Sequence, residues 1–381
     1  MPSNLNNVRS ARRRQAGFSL IELMIAMILG LIVVAAAGGV FISNKRVYNA
    51  TETLGRIQEN GRVAFELMSR DIREAGGNPC GNAIQPINIL EGTNDTFWDR
   101  FGQGVTGYGP GNALPLTPVG TGTGQRVANT DAVELHSSLG GGVQVVEHDN
   151  PSANLQVTSI DGFVQGDILL VCNISQSFIF QVTGFSSAGG GLAIGHNAGG
   201  GQSLNCSQTF QVFNGDADDP ALPGGQGGCN NGASSDVDYC FGETPGGNPQ
   251  CDFGSLSPAY VVRLGSIQWY VGNNARGGTS LYRSQVTNRS GTAVPATVLA
   301  RDEIVEGVTD LTVRYLEEGE GVYTGPAGVA DWARVIAIRL ELQLEGTEGA
   351  LSEREIQGTD GEAIGRTLTH VVSLRNREGS L

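Results

Sequence analysis

The chain has few charged residues and a single lysine. Charged side chains make up 16% of its 381 residues, and Lys45 is the only lysine, so the sequence contains no P-loop for binding phosphates. Coiled coils and helical repeat arrays are rich in Ala, Leu, Glu and Lys, and this composition excludes them. No G-x-S-x-G or H-E-x-x-H motif occurs, so two common hydrolase signatures are absent as well.

Glycine and acidic residues are abundant instead. Glycine occupies 57 positions, about twice the usual share of ~7%, but without the G-x-y period of collagen. Hydrophobic residues make up 39% of the chain, which is enough for a packed core, so wholesale disorder is not expected. The 38 acidic and 24 basic residues give a net charge of −14. This charge repels a phosphate backbone, so we expect a loop-rich, β-rich protein without a nucleic-acid partner.

A long apolar segment lies close to the N-terminus. The run from Leu23 to Ile42 has 20 residues without a charge or a strongly polar group, and a helix of this length crosses a hydrocarbon core of ~30 Å. A secretory signal has a shorter apolar region and a small-residue cleavage site, so this segment is expected to remain as an anchor. Four arginines precede residue 18, whereas Lys45 and Arg46 follow the run. This balance favours a cytoplasmic N-terminus and an exported body.

The motif G-F-S-L-I-E-L at residues 17–23 resembles the class III leader of type IV prepilins. The resemblance implies that an inner-membrane prepilin peptidase cleaves between Gly17 and Phe18, and that Phe18 is then N-methylated. It also places Glu22 at the fifth position of the mature chain, where this family has a glutamate. An α-amino group in an apolar fibre core is costly without a compensating carboxylate, so we expect Glu22 to form a charge pair during assembly. The rival interpretation of Glu22 is an acid that snorkels at the end of an ordinary signal anchor.

The helix is expected to continue beyond the membrane. Apolar residues between 43 and 75 recur mostly on one helical face, and the run 76–79 (Gly-Gly-Asn-Pro) ends the pattern. The pattern predicts a helix from Phe18 to Ala75, about 87 Å long at 1.5 Å per residue. We therefore divide the chain into four parts: a cleaved leader (1–17), a transmembrane and fibre-core helix (18–42), an amphipathic continuation (43–75) and a globular domain (76–381).

The globular domain alternates short strand patterns with turns. Two regions, 76–130 and 214–254, are rich in Gly and Asn and are expected to be long loops, the first packed by its own aromatics Phe97, Trp98 and Phe101. The remaining pattern predicts an antiparallel sheet or two adjoining sheets, so the expected fold class is α+β and pilin-like. The predicted strands are 132–136, 143–147, 155–160, 167–173, 178–185, 209–213, 260–271, 280–285, 311–316, 333–344 and 367–374.

Segments at both ends of this domain resemble the PilW family of minor pilins. They are DIREAGGNPCG (71–81), IVEGVTDLTVRY (304–315), WARVIAIRLELQLE (332–345) and LTHVVSLRNR (368–377). The resemblance implies a structural protein of type IV pilus assembly, acting in a priming or tip complex. Its partners would be the prepilin peptidase, the other minor pilins and the major pilin, with a tip adhesin as a further candidate. It would lie in the inner membrane with a periplasmic domain, and later in the pilus at its tip.

Other functions stay open. A large pseudopilin of a type II secretion system shares the leader and the helix, although the PilW-like segments argue against it. An adhesin displayed on a pilin stem would use the two loop regions. A membrane-tethered enzyme is a remote third option, because no catalytic motif occurs and the scattered histidines are interpreted as structural. These histidines are His136, His148, His196 and His370.

Cysteines and acidic loop residues are the remaining candidate sites. Six cysteines follow the anchor, and an even count on the exported side favours disulfides, with 15 connectivities open. They are Cys80, Cys172, Cys206, Cys229, Cys240 and Cys251. Zinc is the rival interpretation, but no C-x-x-C pair occurs. Five aspartates could offer oxygens to calcium, but without EF-hand spacing, so a solvated acidic loop is favoured and neither a metal nor a cofactor is expected. They are Asp216, Asp218, Asp219, Asp236 and Asp238.

Overall fold

One long helix precedes a body built of strands in the computed structural model of the chain. The structure describes residues 17–77, 79–80, 86–90, 100–149, 152–187, 191–198, 203–213, 236–242, 253–254, 258–288, 297–346 and 364–377. The helix, α1, is Leu20–Glu74. In chain order the strands are β1 (Ile87–Asn88), β2 (Val105–Tyr108), β3 (Ala132–Asp149), β4 (Asn154–Val157), β5 (Ile168–Cys172), β6 (Ser177–Gln181), β7 (Gly184–Ser186), β8 (Leu192–Gly195), β9 (Gln211–Phe213), β10 (Asp236–Cys240), β11 (Phe253–Gly254), β12 (Ala259–Asn273), β13 (Thr279–Asn288), β14 (Thr297–Glu306), β15 (Val308–Glu317), β16 (Val335–Glu345) and β17 (Gly365–Ser373).

The helix α1 has 55 residues, which makes it about 83 Å long at 1.5 Å per residue. Its bounds lie within two residues of the predicted ones, and the helix is continuous through Gly38, Gly39 and Gly55. Glycines weaken a helix by about 1 kcal/mol each relative to alanine, but here they do not interrupt it. The α+β, pilin-like prediction is confirmed: a single long apolar helix is followed by a body of mostly antiparallel strands.

Two long strands, β3 and β12, form the middle of an eleven-stranded sheet. They pair antiparallel with each other, from Tyr270 opposite Ala132 to Ala259 opposite Val145. On its other edge, β12 pairs first with β5 and then with β13, and β3 pairs in the same way with β2 and β4. The sheet therefore has two halves that share β3 and β12.

Each half of the sheet has its own core. The first core joins α1 to β12, β13 and a second sheet, in which β15, β16 and β17 pair antiparallel in that order. The second core is aromatic, with Phe178, Phe180, Phe210 and Phe241 at its centre. Strands β9, β10 and β11 form a third sheet that contributes Tyr239 to this core. Among the described strands, the pairs β1–β6 and β10–β11 are parallel.

The main differences between the observed and the predicted strands lie at glycine-rich segments. The predicted strands 132–136 and 143–147 are one strand, β3, because the intervening Gly140 and Gly142 have positive φ and form an irregularity inside the strand instead of a turn. Opposite them, the register of β12 shifts between Val261 and Arg263. A glycine run therefore does not always separate two strands: it also allows one strand to bend between two cores.

The first predicted loop region contains strand structure. The buried strand β2 lies within it and pairs with β3. Its Gly107 permits a close approach, since a Cβ there would lie 2.7 Å from the Trp332 ring. Phe101 packs with residues of β5, β6 and β12. Phe97 and Trp98 lie outside the described residues.

Besides β2 and the two-residue strands β1 and β11, three further strands were not predicted. They are β8, β14 and, inside the second predicted loop region, β10. Each pairs with a predicted strand: β8 with β4, β14 with β13 and β10 with β9. Strand β8 (L-A-I-G) is short and follows a glycine run, so it offered too little alternation to separate it from its loop.

Candidate functional site at the N-terminal helix

The candidate processing site lies at the start of α1. Gly17, Phe18 and Ser19 precede the helix, the backbone of Ser19 is extended, and the Phe18 side chain is 85% exposed. The Ser19 carbonyl accepts hydrogen bonds from the backbone N–H groups of Glu22 and Leu23, both at 3.1 Å. The Glu22 side chain is exposed in the first turn, where a carboxylate interacts favourably with the helix dipole. The three candidate residues Gly17, Phe18 and Glu22 are thus within the first helical turn or directly before it.

The first half of α1 presents apolar side chains that no described residue of the body covers. An 18-residue window has a mean hydropathy of 2.7 and none of it is buried. Every residue from Leu20 to Tyr48 is exposed, and Asn49 is the first that the body buries. The helix is long and apolar enough to cross a membrane. Such a surface is stable in lipid or against other apolar helices, and unstable in water.

The second half of α1 packs on the body through one stripe. Ile57, Gly61, Ala64, Met68 and Ile72 are buried and follow each other at intervals of three or four residues, the spacing of one helical face. Gly61 allows the closest approach, because a Cβ at this position would overlap a methyl group of Leu368 on β17. The apolar face expected between residues 43 and 75 is confirmed in its main residues, whereas Leu54, an apolar residue of the same region, is 38% exposed.

A buried carboxylate fixes the helix to the main sheet. Asp71 is 3% exposed, and its Oδ2 accepts hydrogen bonds from Trp269 Nε1 at 3.0 Å and from Arg283 Nε at 2.7 Å. Arg283 Nη2 is 3.4 Å from Oδ1, so the guanidinium meets both oxygens of the carboxylate. A buried charge is tolerated only when it is paired and hydrogen-bonded. The ion pair therefore fixes both the rotation and the height of α1 on β12 and β13.

The C-terminal segment holds the end of α1. Asn376 Nδ2 donates to the carbonyls of Glu74 and Ala75, each at 3.3 Å, and these belong to the last turn, whose carbonyls lack partners within the helix. Arg377 follows and donates to the carbonyl of Trp332 at 3.0 Å and to that of Gln103. Burial lowers the pKa of Arg377. Residues 376 and 377 thus join the helix end to two other parts of the body.

The chain turns away from the helix at a glycine pair. Gly76 has φ +73°, a conformation that glycine adopts at little cost. Its N–H donates to the His136 carbonyl on β3 at 2.7 Å, and the Gly77 carbonyl accepts from the N–H and the hydroxyl of Ser138. These bonds confirm that the Gly-Gly pair ends the helix, and they attach the turn to the middle of the sheet.

The disulfide prediction holds for the described cysteines. Cys80 and Cys172 form a disulfide, which links the segment after α1 to the end of β5. Cys206 and Cys240 are also disulfide-bonded, and no described cysteine is free. Cys229 and Cys251 lie outside the described residues.

Metal ligands are not gathered in the described part of the chain. No group of three or more His, Cys, Asp or Glu side chains there could hold a metal ion. Of the five aspartates considered for calcium, Asp236 and Asp238 lie on β10. Asp216, Asp218 and Asp219 lie outside the described residues.

Two histidines that are distant in sequence meet in the aromatic core. His148 Nε2 lies 3.1 Å from His196 Nε2, and both rings are almost fully buried. The Phe210 ring stacks on His196 at 4.4 Å between centroids. Burial lowers the pKa of His148 to about 3 and holds the pKa of His196 well below its usual value, so both rings are neutral and one Nε2–H donates to the other ring.

Sequence reasoning missed the residues that fasten α1. Asp71 stands out only in hindsight, as an acid one residue before Ile72 on an otherwise apolar stripe. Its partners are 198 and 212 residues away, so no local pattern could identify them. Asn376 and Arg377 lie in the segment 368–377, whose sequence indicates a family resemblance but no contact with the helix.

Comparison with known proteins matches the N-terminal segment. The family model for the prokaryotic N-terminal methylation motif matches residues 12–38. A search of curated proteins and a search of solved structures found no match for the chain. The matched segment includes Gly17, Phe18 and Glu22 and the start of α1. The chain therefore carries a type IV prepilin-like leader followed by a long exposed apolar helix, an arrangement that fits a single-pass pilin-type protein of the inner membrane.

Proposed function

We propose that this protein is a minor pilin, similar to the PilW family, that acts in type IV pilus assembly as part of a priming or tip complex. The methylation motif at residues 12–38 carries the proposal, because it stands directly before an apolar helix that the body leaves uncovered. The work of such a subunit is association. Burial of the apolar half of α1, first in lipid and then among neighbouring helices, supplies the driving force.

The proposed processing uses the residues before the helix. The prepilin peptidase cleaves between Gly17 and Phe18, and Phe18 is N-methylated at its new α-amino group. Gly17 and Phe18 are exposed and lie before the helix, which leaves this peptide bond accessible. Once processed, the α-amino group needs a carboxylate in the fibre core. Glu22 is the acid in the first turn of α1, and it supplies that charge.

The proposed location follows from the same helix. The N-terminus lies in the cytoplasm and the body in the periplasm until assembly places the subunit in the pilus, at its tip. Its partners are the prepilin peptidase, the major pilin and the other minor pilins. The exposed run of α1 is the surface on which the pilins meet, and the body beyond Asn49 is free to make its own contacts.

Mass spectrometry of the mature protein tests the processing. A first residue of N-methylated Phe18 is expected, and an uncut leader or another first residue would remove the main support for the proposal. Gly17→Val should leave full-length protein in the membrane, because the bulky side chain occupies the cleavage position. Glu22→Ala should be processed normally but incorporate poorly into pili. Glu59→Ala, which removes another exposed acid from the same helix, is the matched control and should incorporate normally.

A deletion strain separates the pilus from the related secretion machinery. Loss of twitching motility with intact exoprotein secretion is expected. Loss of secretion with normal twitching would instead identify a large pseudopilin of a type II system, which has the same leader and helix. Complementation with the wild-type chain, but not with Glu22→Ala, should restore the lost activity.

A further inference from the structure

An open cavity lies beside the second sheet, away from α1. Its volume is about 490 Å³, and it is bordered by Asp131, Arg314 and Pro326 together with the backbone of neighbouring residues. This volume is in the usual range for sites that bind small molecules or peptide side chains. Neither the disulfides nor the fastening of α1 involves these residues. The cavity therefore has no role in the features described above.

Arg314 is the main charged group of the cavity wall. It lies on β15 and is half-buried. Within the part of the chain that the structure describes, no carboxylate oxygen lies within 4 Å of its guanidinium and it makes no side-chain hydrogen bond. A half-buried arginine is usually paired, because desolvation of its charge is costly. The guanidinium offers a planar pair of N–H donors that matches a carboxylate.

A second arginine lies directly opposite. Arg339 on β16 is the cross-strand partner of Arg314, and like charges at such positions destabilise a sheet. The positive charge of Arg339 is compensated by two neighbours. Its Nε lies 3.4 Å from Glu341 Oε1, and its guanidinium lies 5.2 Å from the centre of the Tyr323 ring. Arg314 has a weaker compensation, because its charge acts on Asp131 of the same cavity wall, but no described carboxylate oxygen lies within 4 Å of its guanidinium. Arg314 is therefore the less compensated arginine of the two.

Asp131 adds a hydrogen-bond acceptor on the same cavity wall. Its Oδ2 accepts from the Val313 backbone N–H at 2.9 Å. Burial raises the pKa of Asp131, while this hydrogen bond and the nearby arginines, Arg314 and Arg126, act in the opposite direction. A carboxylate has two oxygens, so Oδ1 can accept from an N–H group of a ligand. The cavity thus combines one group for an anion with one group for an N–H donor.

We propose that this cavity binds an acidic peptide segment of a partner protein, with the side-chain carboxylate of the peptide on Arg314 and a peptide N–H group on Asp131. A peptide containing Glu or Asp supplies both groups within one residue. Pro110, Pro326 and Ala327 border the cavity and pack against the methylene groups of the acid. The proposal goes beyond the role in pilus assembly and does not depend on it.

Titration calorimetry on the full-length chain in detergent tests the proposal. The probe is N-acetyl-Gly-Glu-Gly-amide, and the matched neutral probe is N-acetyl-Gly-Gln-Gly-amide. The Glu peptide is expected to bind the wild type at least tenfold more tightly than the Gln peptide, since the second lacks the charge-assisted bond. Inorganic phosphate is titrated separately, to distinguish a peptide site from a general anion site.

Variants assign the binding to the cavity. Arg314→Gln should weaken the Glu peptide by about tenfold or more, whereas Arg366→Gln, at an exposed arginine on β17, should leave binding unchanged. Arg314→Lys keeps the charge without the planar donor pair and should give an intermediate loss, so it serves if Arg314→Gln does not fold.

Four results would overturn the assignment. They are no binding of the Glu peptide to the wild type at millimolar concentrations, equal binding of the two peptides, equal loss in Arg314→Gln and Arg366→Gln, and binding of phosphate without binding of the peptide. Failure here leaves the N-terminal processing test intact, because the two experiments share no residue.

Discussion

The buried histidine pair should make the second core sensitive to acid. His148 and His196 are neutral in the folded protein; burial is the largest cause of both low pKa values, and the neighbouring His148 ring lowers the pKa of His196 further. In the unfolded chain both rings are free to take up a proton below about pH 6.5. The unfolded state therefore binds more protons than the folded state in this range, so the free energy of unfolding falls as the pH is lowered. The stability contributed by the neutral pair is present above pH ~6.5 and is lost progressively below it.

The magnitude follows from the size of the pKa shifts. Each histidine costs about 1.36 kcal/mol of stability for every pH unit between its unfolded and folded pKa values. The folded pKa of His148 is about 3, so between pH ~6.5 and ~4.5 this ring costs about 2.7 kcal/mol. His196 also has a low pKa, mainly because of burial, and it adds to this loss, so the pair costs more than the ~2.7 kcal/mol of His148 alone. That is a large part of the total stability of a typical domain, which is about 5–15 kcal/mol.

Hydrogen exchange measured by mass spectrometry can locate this loss. Peptides that cover β4 and β8, which belong to the second core, should lose protection between neutral pH and pH ~4.5 after correction for the intrinsic exchange rate, because local opening follows the local free energy. Peptides from β16 in the first core report on effects that are not specific to the pair. The double variant His148→Leu/His196→Leu has similar side-chain volumes and no titrating group, so its second core should lose at least ~2.7 kcal/mol less over this range.

Two results would refute the reasoning about the histidines. One is an equal pH slope of protection for β4 and β8 in the wild type and the double variant. The other is an equal loss of protection in β16, which would indicate general acid unfolding. His370→Gln removes a histidine outside the pair, and it should keep the slope of the wild type.

Three further changes test the fastening of α1. Asp71→Asn leaves the buried Arg283 without its counter-charge and should lower the free energy of unfolding by about 3 kcal/mol, measured by urea titration. A change below ~0.5 kcal/mol is the range of an ordinary surface substitution, and it would show that the pair is not buried in solution. Cys80→Ser/Cys172→Ala removes a disulfide between residues that are 92 positions apart in the sequence. The free energy of unfolding should fall by about 4.5 kcal/mol on the chain-entropy model, and mild reduction of the wild type should cause the same loss. Asn376→Ala should lower the free energy of unfolding by about 1 kcal/mol, as the loss of a helix cap does. Hydrogen exchange should become faster in the last turn of α1 and stay unchanged in β8. Unchanged exchange in the last turn of α1 would contradict the capping role.

Local patterns allowed prediction of the helix and most of the strands. The periodic stripe with Ile57 and Met68 and the Gly76–Gly77 pair depend only on neighbouring residues, so the sequence carries them directly. Contacts that depend on the pairing register of distant strands could not be predicted from the sequence. Asp71 and Arg283 are 212 residues apart, and Arg314 faces Arg339 only because β15 and β16 pair in one particular register.

The candidate site shows the same division. The processing motif is seven consecutive residues, so it could be recognised without any fold. The disulfide between Cys80 and Cys172 could not be selected from the 15 connectivities of six cysteines, because the choice depends on which strand lies beside the turn after α1. Gly107 and the glycines 140–142 indicated loops in the sequence, whereas the structure uses them for close packing and for a bend within a strand.

The attachments of α1 are placed so that tension on the helix reaches both halves of the body. The run up to Tyr48 is exposed, whereas the stripe from Ile57 onwards and the Asp71 ion pair fix the helix to the body. These contacts hold the helix to the first core only. The disulfide of Cys80 follows the helix by six residues and leads to β5, which contributes to the second core. Because this link is covalent, a pull on the N-terminal helix is carried past the first core even when its packing yields. Resistance to such a pull depends on the rate of unfolding rather than on equilibrium stability, so the disulfide should matter most for a subunit that is held in a fibre under load.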